Sequence, residues 1–202
     1  MSVVKLKTSL AQKIGNMAKL IFNYGSMNSG KSLILLAFAA KLRNKGIDYL
    51  TLKPSSDTRD GAFIFSRPLL EKHPCELWQP NTYYPDAYLL QFKYILVDEA
   101  QFLDEAQVDY LAGIVDRLGI NVICYGLRTD FQTHLFPGSK RLFELADDLK
   151  EIEDFNAEGD KVIINARVRD GQIVSEGPQI EVGREDKYQT MSRKEYYSHF
   201  NH

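Results

Sequence analysis

The chain contains 202 residues, of which 44% are hydrophobic, and carries a formal net charge of −2. This length and hydrophobic content predict one folded domain, or one domain with a small annex, and exclude wholesale disorder. Because 25 basic residues are balanced by 27 acidic ones, we expect no general electrostatic attraction of the surface to nucleic acid or to an anionic membrane.

Three further features favour a cytoplasmic protein. No apolar run approaches the roughly 18 residues of a transmembrane helix. The N-terminus lacks the apolar core and cleavage site that are typical of a signal peptide. The two cysteines, Cys75 and Cys124, can form at most one disulfide, and we expect them to be free thiols in a reducing compartment.

Strands and helices are predicted to alternate along the first three quarters of the chain. Residues 1–18 are polar and weakly patterned, and we interpret them as an N-terminal arm. The hydrophobic patterns then predict a strand at 19–24, a turn at 25–30, a helix at 33–42, a strand at 47–53, a loop at 54–68, a strand at 94–97, a helix at 103–118 and a strand at 120–125. This alternation is typical of an α/β fold with a mostly parallel sheet.

The pattern changes near residue 149. Strands are predicted at 161–168 and 172–174 without a helix between them, and the pair Asp170-Gly171 favours a hairpin turn. The acidic stretch at 144–160 is interpreted as a solvated face. We therefore divide the chain into an N-terminal arm (1–18), an α/β domain (19–148) and a small β annex (149–202).

The turn after the first strand carries a phosphate-binding pattern. The segment from Gly25 to Ser32 matches G-x-x-x-x-G-K-[ST] between a strand and a helix, where backbone N–H groups and the helix N-terminus attract phosphate oxygens. A simple turn would explain the glycines but not the pair Lys31-Ser32, which supplies a charge to the outer phosphates and a hydroxyl to Mg²⁺. The residues predicted to bind the nucleotide are Gly25, Ser26, Met27, Asn28, Ser29, Gly30, Lys31 and Ser32.

Two adjacent acids end the strand at 94–97. Asp98 is placed as the carboxylate that holds Mg²⁺ together with Ser32. Glu99 is predicted to be a general base that accepts a proton from the attacking hydroxyl or water, although an acid here could also cap a helix. These features predict phosphoryl transfer from a magnesium nucleotide, and by themselves they do not separate a kinase from an ATPase.

A series of motifs extends along the chain: Gly25-Ser-Met-Asn-Ser-Gly-Lys-Ser32, Asp57-Thr-Arg59, Ser66-Arg67, Asp98-Glu-Ala-Gln-Phe102, Tyr125-Gly-Leu-Arg-Thr-Asp-Phe131, Phe136-Pro-Gly-Ser139 and Asp186-Lys-Tyr188. In order and spacing these motifs resemble the cytosolic (type II) thymidine kinases, over residues 18–197. The resemblance implies a P-loop (RecA-like) core with a β annex and a substrate-covering lasso loop.

The same resemblance implies a function. It is the ATP-dependent phosphorylation of the 5′-hydroxyl of thymidine to thymidine monophosphate, in nucleotide salvage for DNA synthesis. ATP and Mg²⁺ would be the cofactors, thymidine the substrate and thymidine triphosphate a feedback inhibitor. A cytoplasmic homotetramer without nucleic-acid or membrane partners is also implied.

Roles of single residues follow from the resemblance as well. Glu99, Lys31 and Arg59 would be catalytic, with Arg59 neutralising charge on the transferred phosphoryl group; a solvated turn is the alternative for Arg59. Backbone groups of the lasso at 183–188 would contact the edge of the base. Four residues are implied to bind the nucleoside, although each could equally be plain core: Met27, Phe102, Leu127 and Phe131. Tyr188 of the lasso and Asn165 on its approach are also implied to line the nucleoside pocket.

The chain departs from the family pattern in its annex. Most relatives hold a structural zinc with four cysteines, or with three and a histidine, whereas Asn156, Glu158, Met191 and Glu195 stand at the aligned positions here. Asparagine and methionine are poor ligands of Zn²⁺, so we predict no zinc. Arg184 replaces a common lasso glycine and restricts the backbone.

Three alternatives to a thymidine kinase follow from the sequence. The first is a deoxynucleoside kinase with a shifted base preference, which Arg184 would permit. The second is a nucleic-acid-dependent ATPase, against which the net charge and the small size argue. The third is a non-catalytic nucleotide-binding module, which the intact Lys31, Ser32, Asp98 and Glu99 disfavour.

Overall fold

The computed structural model describes residues 17–177, 179 and 187–200. In chain order its elements are β1 (Leu20–Gly25), α1 (Lys31–Asn44), β2 (Tyr49–Pro54), β3 (Phe63–Ser66), β4 (Glu71–Pro74), β5 (Glu76–Trp78), α2 (Asp86–Leu89), β6 (Tyr94–Val97), a 3₁₀ turn (Ala100–Phe102), α3 (Glu105–Leu118), β7 (Asn121–Leu127), α4 (Pro137–Leu145), β8 (Asp148–Ile152), β9 (Val162–Arg169), β10 (Gln172–Val174), β11 (Lys187–Ser192) and α5 (Arg193–Ser198).

The main sheet confirms the predicted α/β architecture. Its strands lie in the order β5-β2-β6-β7-β1-β8, and every neighbouring pair is parallel. The central strands are apolar along their length because helices cover both faces of a parallel sheet. Side chains therefore alternate between two cores: Ile95 and Val97 face the core shared with α3, whereas Leu96 faces the core shared with α1.

The topology gathers the chemically important segments at one edge. β1, β6 and β7 run parallel, so their carboxyl ends meet on the same side of the sheet. The loop 25–30 follows β1, the acids Asp98 and Glu99 follow β6, and the segment 128–136 follows β7. Ligands of open α/β sheets bind at this edge.

The sequence analysis did not predict β3, β4, β5, β8 or β11, and two of these strands lie in segments to which it gave another interpretation. The segment predicted as a loop at 54–68 contains β3, which pairs antiparallel with β4. The acidic stretch contains β8, which pairs with β1 at the edge of the main sheet. The sheet thus extends to Ile152, beyond the limit of 148 expected for the α/β domain. The apolar run of β3, at 63–65, is too short to identify a strand, and β8 consists mostly of charged residues and has no such run.

The annex is a three-stranded antiparallel sheet in the order β10-β9-β11, with the predicted hairpin between β9 and β10. Its small core consists of Ile164, Ala166, Met191 and Tyr196. The N-terminal arm up to residue 16 and the lasso positions 183–186, with Arg184, lie outside the described residues. In the part of the chain that the structure describes, no helix is long and apolar enough to cross a membrane.

Candidate active site

A cavity of about 520 Å³ opens at the carboxyl edge of the sheet. Its wall brings together the loop after β1, the segment 56–60, the turn after β6, the end of β7 and the annex. The sequence-predicted residues that line it are Met27, Asn28, Gly30, Lys31, Ser32, Arg59, Glu99, Phe102, Leu127, Phe131, Asn165 and Tyr188. Gly25, Ser26, Ser29 and Asp98 are not among the residues that line it.

The phosphate-binding loop requires its glycines for different reasons. Gly30 has φ 88°, a left-handed conformation at the entrance to α1 that glycine adopts without strain. A Cβ on Gly25 would lie 2.6 Å from the carbonyl oxygen of Ile152 and equally close to Ser29 Oγ. The loop is thus packed directly against β8, which leaves space only for a glycine.

Lys31 lies against its own loop. Its Nζ donates to the carbonyl oxygen of Ser26 and lies 3.4 Å from Ser29 Oγ. Burial lowers the pKa of Lys31, while the charges of Glu99 and Asp98 act in the opposite direction. A lysine that exchanges these neutral partners for phosphate oxygens gains charge-assisted hydrogen bonds.

The pair Ser32 and Asp98 has a donor set suited to magnesium. Ser32 Oγ donates to Asp98 Oδ2 at 3.1 Å across 66 residues of sequence. Burial, and then the charge of Glu99, raise the pKa of Asp98 to about 7, and a nearby cation would oppose that rise. Within the described ranges no cluster of three or more His, Cys, Asp or Glu could hold a metal. A hydroxyl and one carboxylate nevertheless fit Mg²⁺, which takes its other ligands from phosphates and water.

Glu99 is oriented by two side chains. It has a left-handed backbone, with φ 52°, at the start of the 3₁₀ turn. Its Oε1 lies 2.7 Å from Arg59 Nη2, and its other carboxylate oxygen accepts a hydrogen bond from Gln101 Nε2. Gln101 in turn accepts the backbone N–H of Leu127 at 3.0 Å. The carboxylate therefore faces the cavity in a defined direction.

Arg59 is held from behind by Asp57. The guanidinium donates to both carboxylate oxygens, at 2.7 and 3.1 Å. Burial opposes the ionisation of Asp57, but the hydrogen bonds and charge of Arg59 and the charge of Lys53 prevail and lower its pKa. The hydrogen bond to Asp57, against the effect of burial and with the help of Glu99, raises the pKa of Arg59. The segment is thus no simple solvated turn, because its arginine joins two carboxylates at the cavity wall.

The apolar side of the cavity is built from aromatic and aliphatic groups. Phe102 packs edge-on against Phe136, with ring centroids 5.6 Å apart. Phe131 is buried beneath the guanidinium of Arg167, which lies 3.8 Å from the ring centre. The carbonyl oxygen of Leu127 accepts a hydrogen bond from Ser139 Oγ at 2.6 Å. These contacts hold the apolar part of the cavity wall in place.

Asn165 and Tyr188 are engaged with the protein itself. The carboxamide of Asn165 accepts the N–H of Met27 at 2.7 Å and donates to the carbonyl of Thr129 at 3.3 Å. The Tyr188 hydroxyl accepts from Arg167 at 3.0 and 3.2 Å. Both residues line the cavity. The carboxamide of Asn165 connects the annex to the α/β domain, whereas the Tyr188 hydroxyl joins β11 to β9 within the annex.

Sequence reasoning missed Lys53, Gln101 and Arg167. Gln101 lies in a quoted motif, so its spacing from Glu99 was available as a signal. Lys53 is a charged residue within an otherwise apolar strand pattern, which is a second usable signal. Arg167 likewise interrupts an apolar strand pattern, but its role was not evident because Phe131 and Tyr188 approach it from other elements.

The four aligned zinc positions have other contacts. Asn156 Oδ1 accepts the backbone N–H of Asp160 at 2.8 Å in a tight turn, and Met191 is buried in the annex core. Glu158 is exposed. The backbone N–H of Glu195 donates to Ser192 Oγ at the start of α5. The absence of zinc remains a prediction.

The comparison with known proteins decides the family. The family model described as thymidine kinase matches residues 18–196. The chain belongs to the thymidine kinase family. A thymidine kinase of Xanthomonas oryzae pv. oryzae is 39% identical over 89% of this chain and 90% of its own length. A thymidine kinase of Agrobacterium fabrum is 39% identical over 92% of this chain and 99% of its own.

Membership of the thymidine kinase family confirms the predicted resemblance and makes the protein a nucleoside kinase, a transferase. It also disfavours the nucleic-acid-dependent ATPase and the non-catalytic module. Among solved structures, one that matches is the genome packaging NTPase B204 of Sulfolobus turreted icosahedral virus 2. The match covers 71% of this chain and 77% of the B204 chain, with 14% sequence identity and a TM-score of 0.42.

Proposed function

We propose that the protein transfers the γ-phosphoryl group of ATP to the 5′-hydroxyl of thymidine, producing thymidine monophosphate for nucleotide salvage. One observation carries this proposal: a single cavity is lined by Lys31 of the phosphate-binding loop, by the ion pair between Arg59 and Glu99, and by an aromatic wall. The thymidine kinase family to which the chain belongs supports the choice of donor and acceptor.

Each charged residue has a separate role in phosphoryl transfer. Lys31 and the backbone of residues 25–32 bind the donor phosphates. Glu99 accepts the proton of the 5′-hydroxyl as that oxygen attacks the γ-phosphorus. Arg59 already contacts Glu99 and stabilises the negative charge of the transferred group. Mg²⁺, held by Ser32 and Asp98, would neutralise charge on the phosphate oxygens.

The apolar wall accounts for the nucleoside site. The cavity lining is apolar on this side, which suits a pyrimidine ring. It is formed by Met27, Phe102, Leu127 and Phe131. Tyr188 and Asn165 close this side from the annex. We assign nucleotide binding to the α/β domain and coverage of the nucleoside to the annex and its lasso, whose backbone would contact the edge of the base.

The remaining properties are proposed from the family resemblance. They are a cytoplasmic location, assembly into a homotetramer, inhibition by thymidine triphosphate and the absence of nucleic-acid or membrane partners. One continuous cavity supports inhibition by thymidine triphosphate. The thymine base would lie against the apolar wall, while the phosphates would reach the loop that binds the phosphates of ATP.

A substrate panel tests the proposal. Purified protein with ATP and Mg²⁺ is assayed on thymidine, deoxyuridine and deoxycytidine, with added single-stranded DNA as a separate condition. We expect the highest kcat/KM on thymidine and no stimulation by DNA. Equal or better use of deoxycytidine would indicate a shifted base preference. DNA-stimulated hydrolysis of ATP without nucleoside phosphorylation would contradict the proposal altogether.

A further inference from the structure

A lysine is buried behind the wall of the active site. Lys53 lies near the end of β2, and its side chain is only 2% exposed. An ammonium group is strongly stabilised by water, so a folded protein retains it in the interior only with polar partners. The Nζ of Lys53 lies 3.6 Å from Asp57 Oδ2 and donates to the carbonyl oxygen of Phe63 at 3.3 Å.

Asp57 connects Lys53 to the residues of the cavity wall. Its side chain is 4% exposed and lies between two cations, with Lys53 on the interior side and Arg59 on the cavity side. The two carboxylate oxygens accept the fork of Arg59 at 2.7 and 3.1 Å. A bidentate pair of this kind defines the plane of the guanidinium as well as its position.

Arg59 completes a chain of alternating charges. Its side chain is 49% exposed, and the Nη2 that contacts Asp57 also lies 2.7 Å from Glu99 Oε1. A long, half-exposed side chain loses considerable rotamer freedom when it is fixed. The buried end of the chain provides the fixed point, since Lys53 and Asp57 are packed in the protein interior.

We infer that Lys53 is a positioning residue for phosphoryl transfer, which acts through Asp57 to hold Arg59 against Glu99. The inference rests on the proposed roles of Arg59 and Glu99. Lys53 itself does not line the cavity, so it would act without touching either substrate. Removal of its charge leaves the buried carboxylate of Asp57 with Arg59 as its one cationic partner among the described residues. We expect the guanidinium then to be drawn inward from its place beside Glu99.

A double-mutant cycle tests this relationship. The variants are Lys53→Met, Arg59→Lys and the double substitution, assayed for kcat and for the KM of thymidine and ATP. We expect Lys53→Met to lower kcat about 10- to 30-fold while both KM values stay within about 3-fold, because a transition-state contact is lost. In the Arg59→Lys background, the same change should lower kcat by less than about 2-fold, since coupled residues are non-additive.

Thr51→Val is the matched control for loss of stability. Thr51 lies two residues before Lys53 on the same strand, is buried, and donates to the carbonyl of Pro74 at 2.9 Å. Its replacement should lower the melting temperature without a change in kcat. A kcat loss in Thr51→Val as large as in Lys53→Met would show that general loosening of β2 is sufficient, and would overturn the inference.

Other outcomes would also overturn it. They are an unchanged kcat in Lys53→Met, or losses that multiply independently in the double variant. If Lys53→Met does not fold, Asp57→Asn serves as the test instead. Asparagine keeps the shape of the side chain and removes the charge through which Lys53 acts. Wild-type turnover in Asp57→Asn would overturn the inference. Full activity of Arg59→Lys and of Glu99→Gln would instead contradict the proposed function itself.

Discussion

The carboxamide oxygen of Asn165 accepts a 2.7 Å hydrogen bond from the backbone N–H of Met27, although 138 residues separate the two in the chain. The same carboxamide donates to the carbonyl oxygen of Thr129. One side chain of β9 therefore joins the annex, the phosphate-binding loop and the segment after β7. Donor and acceptor sites share this connection, so a change in it should affect both substrates.

Asn165→Ala should raise the KM of both ATP and thymidine. Loss of a buried hydrogen-bond partner costs about 1–3 kcal/mol, which corresponds to a loss of at least 5-fold in kcat/KM for each substrate. Asn156→Ala is the matched control, because Asn156 makes its hydrogen bond within a turn of the annex. A pure thymidine defect with unchanged ATP kinetics would indicate that Asn165 contacts only the nucleoside.

Glu99→Gln should lower kcat by about 100- to 10,000-fold, the usual contribution of a general base. Glutamine keeps the shape of the side chain and one acceptor oxygen, which can still accept a hydrogen bond from Arg59. Binding of ATP and thymidine should therefore remain close to normal by calorimetry. Glu105→Gln removes an exposed acid at the start of α3 and serves as the control. Turnover close to that of the wild type in Glu99→Gln would rule out this role.

Gly25→Ala should weaken or abolish nucleotide binding. The added Cβ would lie 2.6 Å from the carbonyl oxygen of Ile152, so either the loop or β8 has to move. Gly113→Ala in α3 is the contrasting change, because nothing lies closer than 3.9 Å to its Cβ and alanine favours the helix by about 0.5–1 kcal/mol. ATP titration and thermal melting of both variants provide the measurement. Normal ATP affinity in Gly25→Ala would contradict the packing argument.

Tyr188→Phe should raise the KM of thymidine several-fold and leave that of ATP unchanged. The hydroxyl accepts two hydrogen bonds from Arg167, whose guanidinium also covers Phe131. Loss of an acceptor for a buried cation costs about 1–3 kcal/mol and loosens this wall of the nucleoside site. Tyr197→Phe alters an exposed tyrosine of α5 and should change neither constant. Equal increases in the KM of thymidine and of ATP would show that the substitution does not act specifically on the nucleoside site.

The purified protein should contain no stoichiometric zinc, and a chelator should leave its melting temperature unchanged. The annex has an apolar core instead, in which Met191 packs with Ile164 and Tyr196. Met191→Ala should therefore lower stability by about 2–5 kcal/mol. Elemental analysis with about one zinc per chain would refute this account of the annex.

The sequence predicted the fold class because its strongest signals are local. Apolar runs such as Tyr94–Val97 identify buried strands, and the helix-forming run after Ser32 identifies α1. Among the strands that were missed, β3 has an apolar run of only three residues, and the charged side chains of β8 leave no such run. Their positions depend on pairing with distant segments, which no local pattern records.

Part of the active site was likewise predictable from local sequence patterns. The phosphate-binding loop and the pair Asp98-Glu99 were evident from the sequence, because a strand followed by these residue types at this spacing is sufficient to identify them. The near-neutral net charge likewise limited the expected phosphate affinity to one loop.

Only the tertiary structure decided which groups act on one another. It placed Arg59 against Glu99, Lys53 behind Asp57 and Asn165 on the phosphate-binding loop. These contacts join separate strands and loops, and their geometry depends on the packing of the sheet and the annex. A buried charge or carboxamide requires a partner, but the sequence does not specify which of the remote candidates provides it.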